Sequence, residues 1–287
     1  MFLGERMGKF ERLKKAMIME IQEHKVSFVV FTLLRVFVVL AICVQIYEQN
    51  FESVFLGILT LFLLFIPSFV QVTFRVEIPT LLECIMLLFI FAAEILGEIN
   101  GFYVKLPYWD TMLHTLNGFL AAAIGFSLVD ILNKSEKLVF RLSPFFSVLV
   151  AFCFSMTIGV LWEVFEFSMD CLFGFDMQKD TIVQTISSVN LDPTGGNRPT
   201  AMRDITEVYV NNQPLSIGGY LDIGLFDTMY DLIVNFVGAV AYSLCAYFFL
   251  TSKSCVNIVS RLMVRRKKAE EDYLNLDKNF NSSNKNG

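Results

Sequence analysis

Six predominantly apolar blocks constrain the fold of this chain more than any other feature of its sequence. A helix of about 20 apolar residues crosses a hydrocarbon core of roughly 30 Å, and each block reaches that length. Because lipid offers no hydrogen-bond partners, such a block satisfies its own backbone only as a helix. The sequence therefore predicts an all-α fold, a polytopic membrane bundle of six transmembrane helices. The blocks run Val26–Tyr47, Val54–Phe74, Ile78–Ile99, Asp110–Leu132, Pro144–Phe173 and Phe226–Thr251.

Composition agrees with a membrane protein and excludes other classes. Hydrophobic residues make up 55% of the 287 residues and Phe occurs 30 times, which soluble domains of this length seldom match. The basic runs are short and lie beside apolar blocks, so no nucleic-acid partner is expected, whereas the lipid bilayer is. None of the 6 Cys residues forms a C-x-x-C pair, which favours small buried side chains over a redox or metal role.

The placement of Lys and Arg predicts the orientation of the helices. If the N-terminus lies inside, 18 of the 23 Lys and Arg residues fall on the cytoplasmic side and 4 on the other, while Arg35 lies within the first block. Basic residues near membrane spans concentrate on the cytoplasmic side. Both termini of this multi-pass protein are therefore expected in the cytoplasm.

The segments outside the blocks complete the expected domain organisation. Residues 1–25 favour a basic amphipathic cytoplasmic segment, residues 26–251 the six-helix transmembrane domain, and residues 252–287 a basic cytoplasmic segment followed by a disordered tail. An external loop covers residues 174–224, and a loop of this length is either functional or disordered. Alternating residues on both sides of Asn211-Asn212 predict a β-hairpin within it.

Ionisable and amide side chains within the apolar blocks follow helical spacing. Residues three or four apart lie on one face of a helix, so each set forms a stripe. Gly118 and Gly238, close to two of these stripes, are expected to permit close helix packing. The stripes are Glu94 and Glu98 on the third block, Asp110, His114 and Asn117 on the fourth, Glu163, Glu166 and Asp170 on the fifth, and Asp227, Asp231 and Asn235 on the sixth.

The predicted orientation brings all of these stripes to the outer leaflet boundary, which suggests a single site. Like charges so close together need compensation by cations, shared protons, basic side chains or water. Oxygen ligands with one imidazole suit a divalent metal such as Mg²⁺, Mn²⁺ or Ca²⁺, or a carboxylate-bridged metal pair. The alternative interpretation is a set of acids solvated among the lipid headgroups. The expected metal ligands are Glu163, Glu166, Asp170, Asp227 and Asp231, and the expected catalytic residues are His114 and Asp110.

Three of these stretches resemble a known family. Tyr108–His114, Trp162–Glu166 and Asp227–Leu232 are similar to the YjdF-like family of uncharacterised bacterial integral membrane proteins, whose pattern is D-x-x-x-H-x-x-x-G, W/Y-E-x-x-E and D-T-x-x-D. The resemblance covers roughly Pro107–Tyr242. The chain also has a more distant resemblance to the VanZ-like family. The resemblance implies a bacterial cytoplasmic (plasma) membrane and the same site residues, and it implies no activity.

Three functions remain open at this point. The first is an enzyme that uses a metal to act on a lipid-linked or envelope substrate at the outer leaflet. The second is a proton- or cation-coupled transporter, which intramembrane carboxylates favour, although no inverted repeat is evident. The third is an envelope sensor or assembly factor that binds a protein partner through the external loop.

Overall fold

The computed structural model describes residues 9–23, 25–134 and 142–267. Within these residues six helices are long and apolar enough to cross a membrane, which confirms the predicted fold class. The disordered tail predicted for the end of the chain lies outside the described residues. The six spans are Lys25–Tyr47, Phe51–Phe74, Thr80–Ile99, Trp109–Asn133, Pro144–Phe173 and Leu225–Ser252.

The chain divides into two compact units. The main unit comprises the described residues of Met1–Met156 and Asn235–Gly287, and the loop unit comprises Thr157–Val234. Helices α8 and α9 contribute residues to both units. In chain order the helices are α1 (Lys9–Glu23), α2 (Lys25–Tyr47), α3 (Phe51–Leu63), α4 (Ile66–Phe74), α5 (Thr80–Phe91), α6 (Phe102–Lys105), α7 (Trp109–Asn133), α8 (Pro144–Phe173), α9 (Leu225–Ser252) and α10 (Val256–Leu262).

The second span is two helices rather than the single block predicted. Helix α3 ends at Leu63 and α4 begins at Ile66, with Pro67 in the first turn of α4. Proline has no N–H to donate to the carbonyl group of the preceding turn, so the hydrogen bonds of α3 do not continue through Pro67 and a new helix begins here. Hydropathy could not predict this break because the residues on both sides of it are apolar.

The third span ends in a π-helix, Ala92–Ile99, which follows α5 directly. Residues four apart lie near one face in a π-helix as they do in an α-helix, so the predicted stripe of Glu94 and Glu98 is compatible with this segment. Glu94 is buried, with 2% of its surface exposed, whereas Glu98 is half-buried. Short π-helical segments within spans are frequent at functional sites.

The larger of two buried apolar clusters described in the main unit lies where α5, α7, α8, α9 and α10 meet. Small side chains, among them Ala122, Ala151 and Ala239, pack there around the rings of Phe126 and Tyr242. Outside this core, the helices expose many large apolar side chains, as expected of surfaces that face lipid rather than water.

Two short segments of the main unit, one between helices and one after them, pair as β-strands. Strand β1 (Val76–Glu77), between α4 and α5, pairs antiparallel with β8 (Arg265–Arg266), which follows α9 and α10. These two segments therefore lie at the same end of the unit, as the predicted alternation of six spans requires. Which side of the membrane this end faces remains a prediction.

The loop unit has defined secondary structure between α8 and α9. Strands β2 (Ile182–Val183) and β7 (Tyr220–Leu221) pair, as do β3 (Ile186–Ser188) and β4 (Thr200–Met202). The predicted hairpin is confirmed, because β5 (Tyr209–Val210) pairs with β6 (Gln213–Pro214) across Asn211-Asn212. Both Asn residues have positive φ, 52° and 62°, as a two-residue type I′ turn requires.

Candidate functional site

The first part of the candidate site lies in the first two turns of α7, within the main unit. His114 has 8% of its surface exposed, and its Nε2 lies 3.4 Å from Oδ1 of Asp110, one helical turn away. This separation is within ion-pair range but longer than a normal hydrogen bond. Asp110 also stands in the first turn of the helix, where the helix dipole stabilises a negative charge. The sequence therefore builds a buried imidazole with a carboxylate beside it.

Immediately after this pair, α7 and α9 cross at very short range. A Cβ at Gly118 would lie 2.0 Å from the carbonyl oxygen of Asn235, and a Cβ at Gly238 would lie 1.9 Å from that of Thr115. Only glycine fits at either position, so the close packing predicted for these two residues is confirmed. Further along, Phe119 contacts Tyr242 and Phe126 contacts Phe249, so the two helices run in the same direction.

Polar side chains are satisfied at this crossing. The Asn117 Nδ2 donates to Oδ1 of Asn235 at 3.0 Å, and Asn235 is fully buried. Ser155 of α8 donates to the carbonyl oxygen of Gly118 at 2.7 Å. These bonds join three helices without an ionised group. Asn117 and Asn235, part of the predicted stripes, therefore have a packing role.

In the loop unit, the end of α8 carries two buried carboxylates. Glu163 has 5% and Glu166 has 8% of its surface exposed. The indole Nε1 of Trp162 donates to Oε1 of Glu166 at 2.9 Å. Trp162 is not among the predicted site residues; its spacing of four residues from Glu166 was the signal that could have identified it.

Asp170 has a different role, because both of its carboxylate oxygens accept backbone N–H groups. Oδ1 accepts from Met177 at 2.7 Å and Oδ2 from Gln178 at 2.9 Å. The chain between them turns at Gly174, whose φ is +70°. Asp170 therefore fixes the chain that leaves α8, and a carboxylate bound in this way is a positioning group for the loop.

The start of α9 is attached to the same stretch of loop. Oδ2 of Asp227 accepts the Lys179 N–H at 2.7 Å, and the Gln178 side chain donates to Thr228. Asp222 accepts the N–H groups of Thr181 and Phe226 at 2.6 and 2.8 Å, which caps the first turn of α9. Among the predicted metal ligands, Asp227 thus shares the positioning role of Asp170.

Acidic residues also gather in the loop itself. Burial of its carboxyl raises the pKa of Asp180 above the usual value of 3.8, and the negative charges of Asp176 and Asp222 raise it further. Asp192 behaves oppositely, because the Thr194 hydroxyl and backbone N–H groups stabilise its carboxylate and lower its pKa. The loop therefore contains one acid that folding makes harder to ionise and one that folding makes easier to ionise.

Asp231 is the remaining predicted ligand. It lies one helical turn before Asn235 and has 4% of its surface exposed. Taken alone, neither unit brings three ligand atoms of described His, Cys, Asp or Glu residues within 4.8 Å of one another. That all the predicted residues form one site remains a prediction.

Comparison with known proteins identifies a family whose description names no activity. A family model described as "Predicted membrane protein (DUF2238)" matches residues 29–252, all but the first few residues of the six spans. An "Uncharacterized protein" of Thermotoga maritima is 30% identical over 114 residues, which are 38% of this chain and 57% of that protein. The chain thus spans little more than half the length of that relative. No solved structure matches, and the resemblance to the VanZ-like family remains a prediction.

Proposed function

The chain belongs to the family described as "Predicted membrane protein (DUF2238)", and we propose that it is a membrane-embedded enzyme that uses a divalent cation to act on a lipid-linked or envelope substrate. The observation that supports this most is the pair formed by the buried His114 and the half-buried Asp110, whose Nε2 and Oδ1 atoms are 3.4 Å apart. An ionisable pair inside a membrane span is costly and is retained where it has a function.

The pair has the arrangement of a general base and its orienting group. Asp110 holds the His114 imidazole in one orientation. His114 then accepts a proton from an attacking water or hydroxyl, and returns it to the leaving group. A divalent cation held by the buried carboxylates would supply the remaining chemistry, by polarising the oxygen of a phosphoryl or carbonyl group. The substrate is therefore an ester or anhydride whose reacting group lies near the headgroups of the outer leaflet.

The carboxylates of the loop unit divide into two groups in this proposal. Glu163, Glu166 and Asp231 are buried, and in this proposal each contributes an oxygen to cation binding, although the three do not form one compact set within the loop unit. Asp170 and Asp227 hold backbone N–H groups of the loop, and they position the loop. Carboxylate oxygens favour Mg²⁺, Mn²⁺ or Ca²⁺, and two cations bridged by a carboxylate are compatible with this ligand set.

The test is direct measurement of cation binding by the purified full chain in detergent. Wild-type protein titrated with Mg²⁺, Mn²⁺ and Ca²⁺ is expected to bind at least one of them. Glu163→Gln and Asp231→Asn each remove a charged ligand with little change of shape, and each should weaken that binding roughly 10- to 100-fold. Absence of binding by the wild-type protein at millimolar cation would refute the proposal.

Matched variants distinguish ligands from other acids. Glu207→Gln changes an exposed acid of the external loop and should leave binding unchanged. His114→Gln combined with Asp231→Asn tests whether the Asp110–His114 pair and the carboxylates act on one cation. If the fold-losses in cation affinity of the two single variants multiply in the double variant, the two groups act independently. The prediction of one site would then be wrong.

One observation favours a second candidate, a proton- or cation-coupled transporter. Glu94, in the π-helical part of the third span, has 2% of its surface exposed, and its Oε2 makes no hydrogen bond within the described residues. Buried carboxyls of this kind carry protons in pumps and transporters. Proteoliposomes with wild-type protein would then show proton flux under an imposed gradient, and Glu94→Gln would abolish it. Equal flux in empty liposomes and both proteins would exclude this candidate.

A further inference from the structure

A cavity of about 460 Å³ lies in the main unit, among α1, α2 and the residues between α3 and α4. Leu13, Met17 and Ile21, spaced by four along one face of α1, line one wall. Phe28 and Phe31 of α2 line another. The volume is in the range of small-molecule sites, and the apolar walls suit a hydrocarbon chain.

Two cationic side chains interrupt these apolar walls. Arg35 lies in the first transmembrane span, and its guanidinium stacks over the rings of Phe65 and Phe31, 4.6 and 5.3 Å from their centroids. Lys14 of α1 also borders the cavity and is exposed. The cavity therefore combines apolar walls with two positive charges.

Stacking satisfies the faces of the Arg35 guanidinium but not its edge. A guanidinium carries five N–H donors, and within the described residues Arg35 has no carboxylate or carbonyl partner. Unsatisfied donors of a charged group inside a membrane are costly. Because the fork of an arginine matches the oxygens of a phosphate, a ligand with a phosphate group would satisfy the donors that the protein leaves open.

We propose that this cavity binds an anionic phospholipid, with its phosphate on Arg35 and Lys14 and an acyl chain along α1 and α2. The ligand must be amphiphilic, because the charges and the apolar walls belong to the same cavity. It must carry net negative charge, because the residues that line the cavity include two cations and no acid. Basic pockets between membrane helices bind lipid headgroups in this way. The proposal concerns a different part of the main unit from the Asp110–His114 pair and does not depend on the proposed enzyme.

The experiment titrates short-chain phosphatidylglycerol into the purified full chain in detergent and measures both affinity and the thermal unfolding midpoint. Phosphatidylglycerol is expected to bind and to raise the midpoint, because a ligand of the folded state stabilises it. Arg35→Gln should weaken binding roughly tenfold or more and abolish the rise. Lys25→Gln, which removes an exposed charge from the same helix outside the cavity lining, should behave as wild type.

Each other outcome overturns a defined part of the proposal. Equal binding of phosphatidylcholine would show that net charge is not recognised. Inorganic phosphate that raises the midpoint as much as the lipid would show that the acyl chain contributes nothing. Unchanged lipid affinity in Arg35→Gln would exclude the cavity as the site. If Arg35→Gln does not fold, Lys14→Gln replaces it, and wild-type affinity in that variant would equally overturn the proposal.

Discussion

The crossing of α7 with α9 in the main unit and the base of the 174–224 loop in the loop unit use similar polar residues for different contacts. At the crossing, Asn117 and Asn235 bind each other and join one helix to another. At the loop base, Asp170 and Asp227 accept backbone N–H groups and join a helix to a loop. Amides bind side chain to side chain here, whereas carboxylates hold the backbone.

This difference shows which polar residues of the motifs have a structural role. A neutral amide pair stabilises a helix crossing without leaving a charge in the membrane. A carboxylate that accepts two N–H groups lies at a span end, where it fixes loop geometry. His114, Glu163 and Asp231 are also buried in the spans, and the proposed function gives them a chemical role. The following predictions test each side of this comparison.

The largest effect is expected from Gly238→Ala at the crossing. Its Cβ would lie 1.9 Å from the carbonyl oxygen of Thr115, so α7 and α9 must separate and the Asn117–Asn235 bond must lengthen. Overpacking of this kind costs about 3 kcal/mol or more, measured as a lower thermal unfolding midpoint in detergent. Ala241→Leu, which adds more volume at an exposed position of the same helix, should unfold near the wild-type temperature. A wild-type midpoint for Gly238→Ala would show that the crossing is not so close.

The next effect is expected from Asn235→Ala, which removes the acceptor of the Asn117 amide. Asn235 is fully buried, so the Asn117 Nδ2 would lose its partner away from water. The expected cost is about 1–2 kcal/mol in the free energy of unfolding. A double-mutant cycle with Asn117→Ala isolates the bond itself, with an expected coupling of about 0.6–1.7 kcal/mol. Additive losses would mean that the two amides do not interact.

A smaller and local effect is expected from Asp170→Ala at the loop base. The N–H groups of Met177 and Gln178 would lose their acceptors, and each hydrogen bond to a charged group contributes roughly 1.5–3 kcal/mol. Amide hydrogen exchange around these residues should accelerate, while the global unfolding midpoint changes little, because the spans do not depend on the loop. Asp170→Asn keeps one acceptor oxygen, so its exchange rates should lie between those of the wild type and those of Asp170→Ala. Unchanged exchange in Asp170→Ala would contradict the anchoring role.

The sequence predicts the spans far better than the details inside them. The predicted fifth block and α8 share the bounds Pro144–Phe173, because a proline suits the first turn of a helix and Gly174 follows its end. The break before Pro67 and the π-helix from Ala92 to Ile99 were not predicted. Neither was predicted because hydropathy is the same for an α-helix, a broken helix or a π-helix.

The same limit applies to the candidate site. Helical spacing correctly placed Asp110 beside His114, because a spacing of four residues is local geometry. It did not predict that Asp170 binds the backbone at residues 177 and 178, because that contact depends on how the loop folds back. Spacing also left out the bond from Trp162 to Glu166, since tryptophans at span ends usually serve as interface anchors.

The smallest effect is expected from pH, at Asp180 in the loop. Its pKa in the folded protein is raised above 3.8, so the folded loop favours the protonated acid. The corresponding stability is full below pH 3.8 and is lost as pH rises through the folded pKa. Asp180→Asn should therefore slow amide exchange in the loop at neutral pH and remove this part of its pH dependence. The effect is small because the carboxyl is mostly exposed to solvent.

Asp192→Asn provides the opposite case within the same loop. Its folded pKa is lowered, first by the Thr194 hydroxyl, so the charged form stabilises the loop above the unfolded pKa and this contribution is lost as pH falls through the folded value. Asp192→Asn should therefore speed exchange at neutral pH, where Asp180→Asn slows it. Changes of the same sign in both variants would mean that loss of negative charge, rather than the surroundings of each carboxyl, determines loop stability.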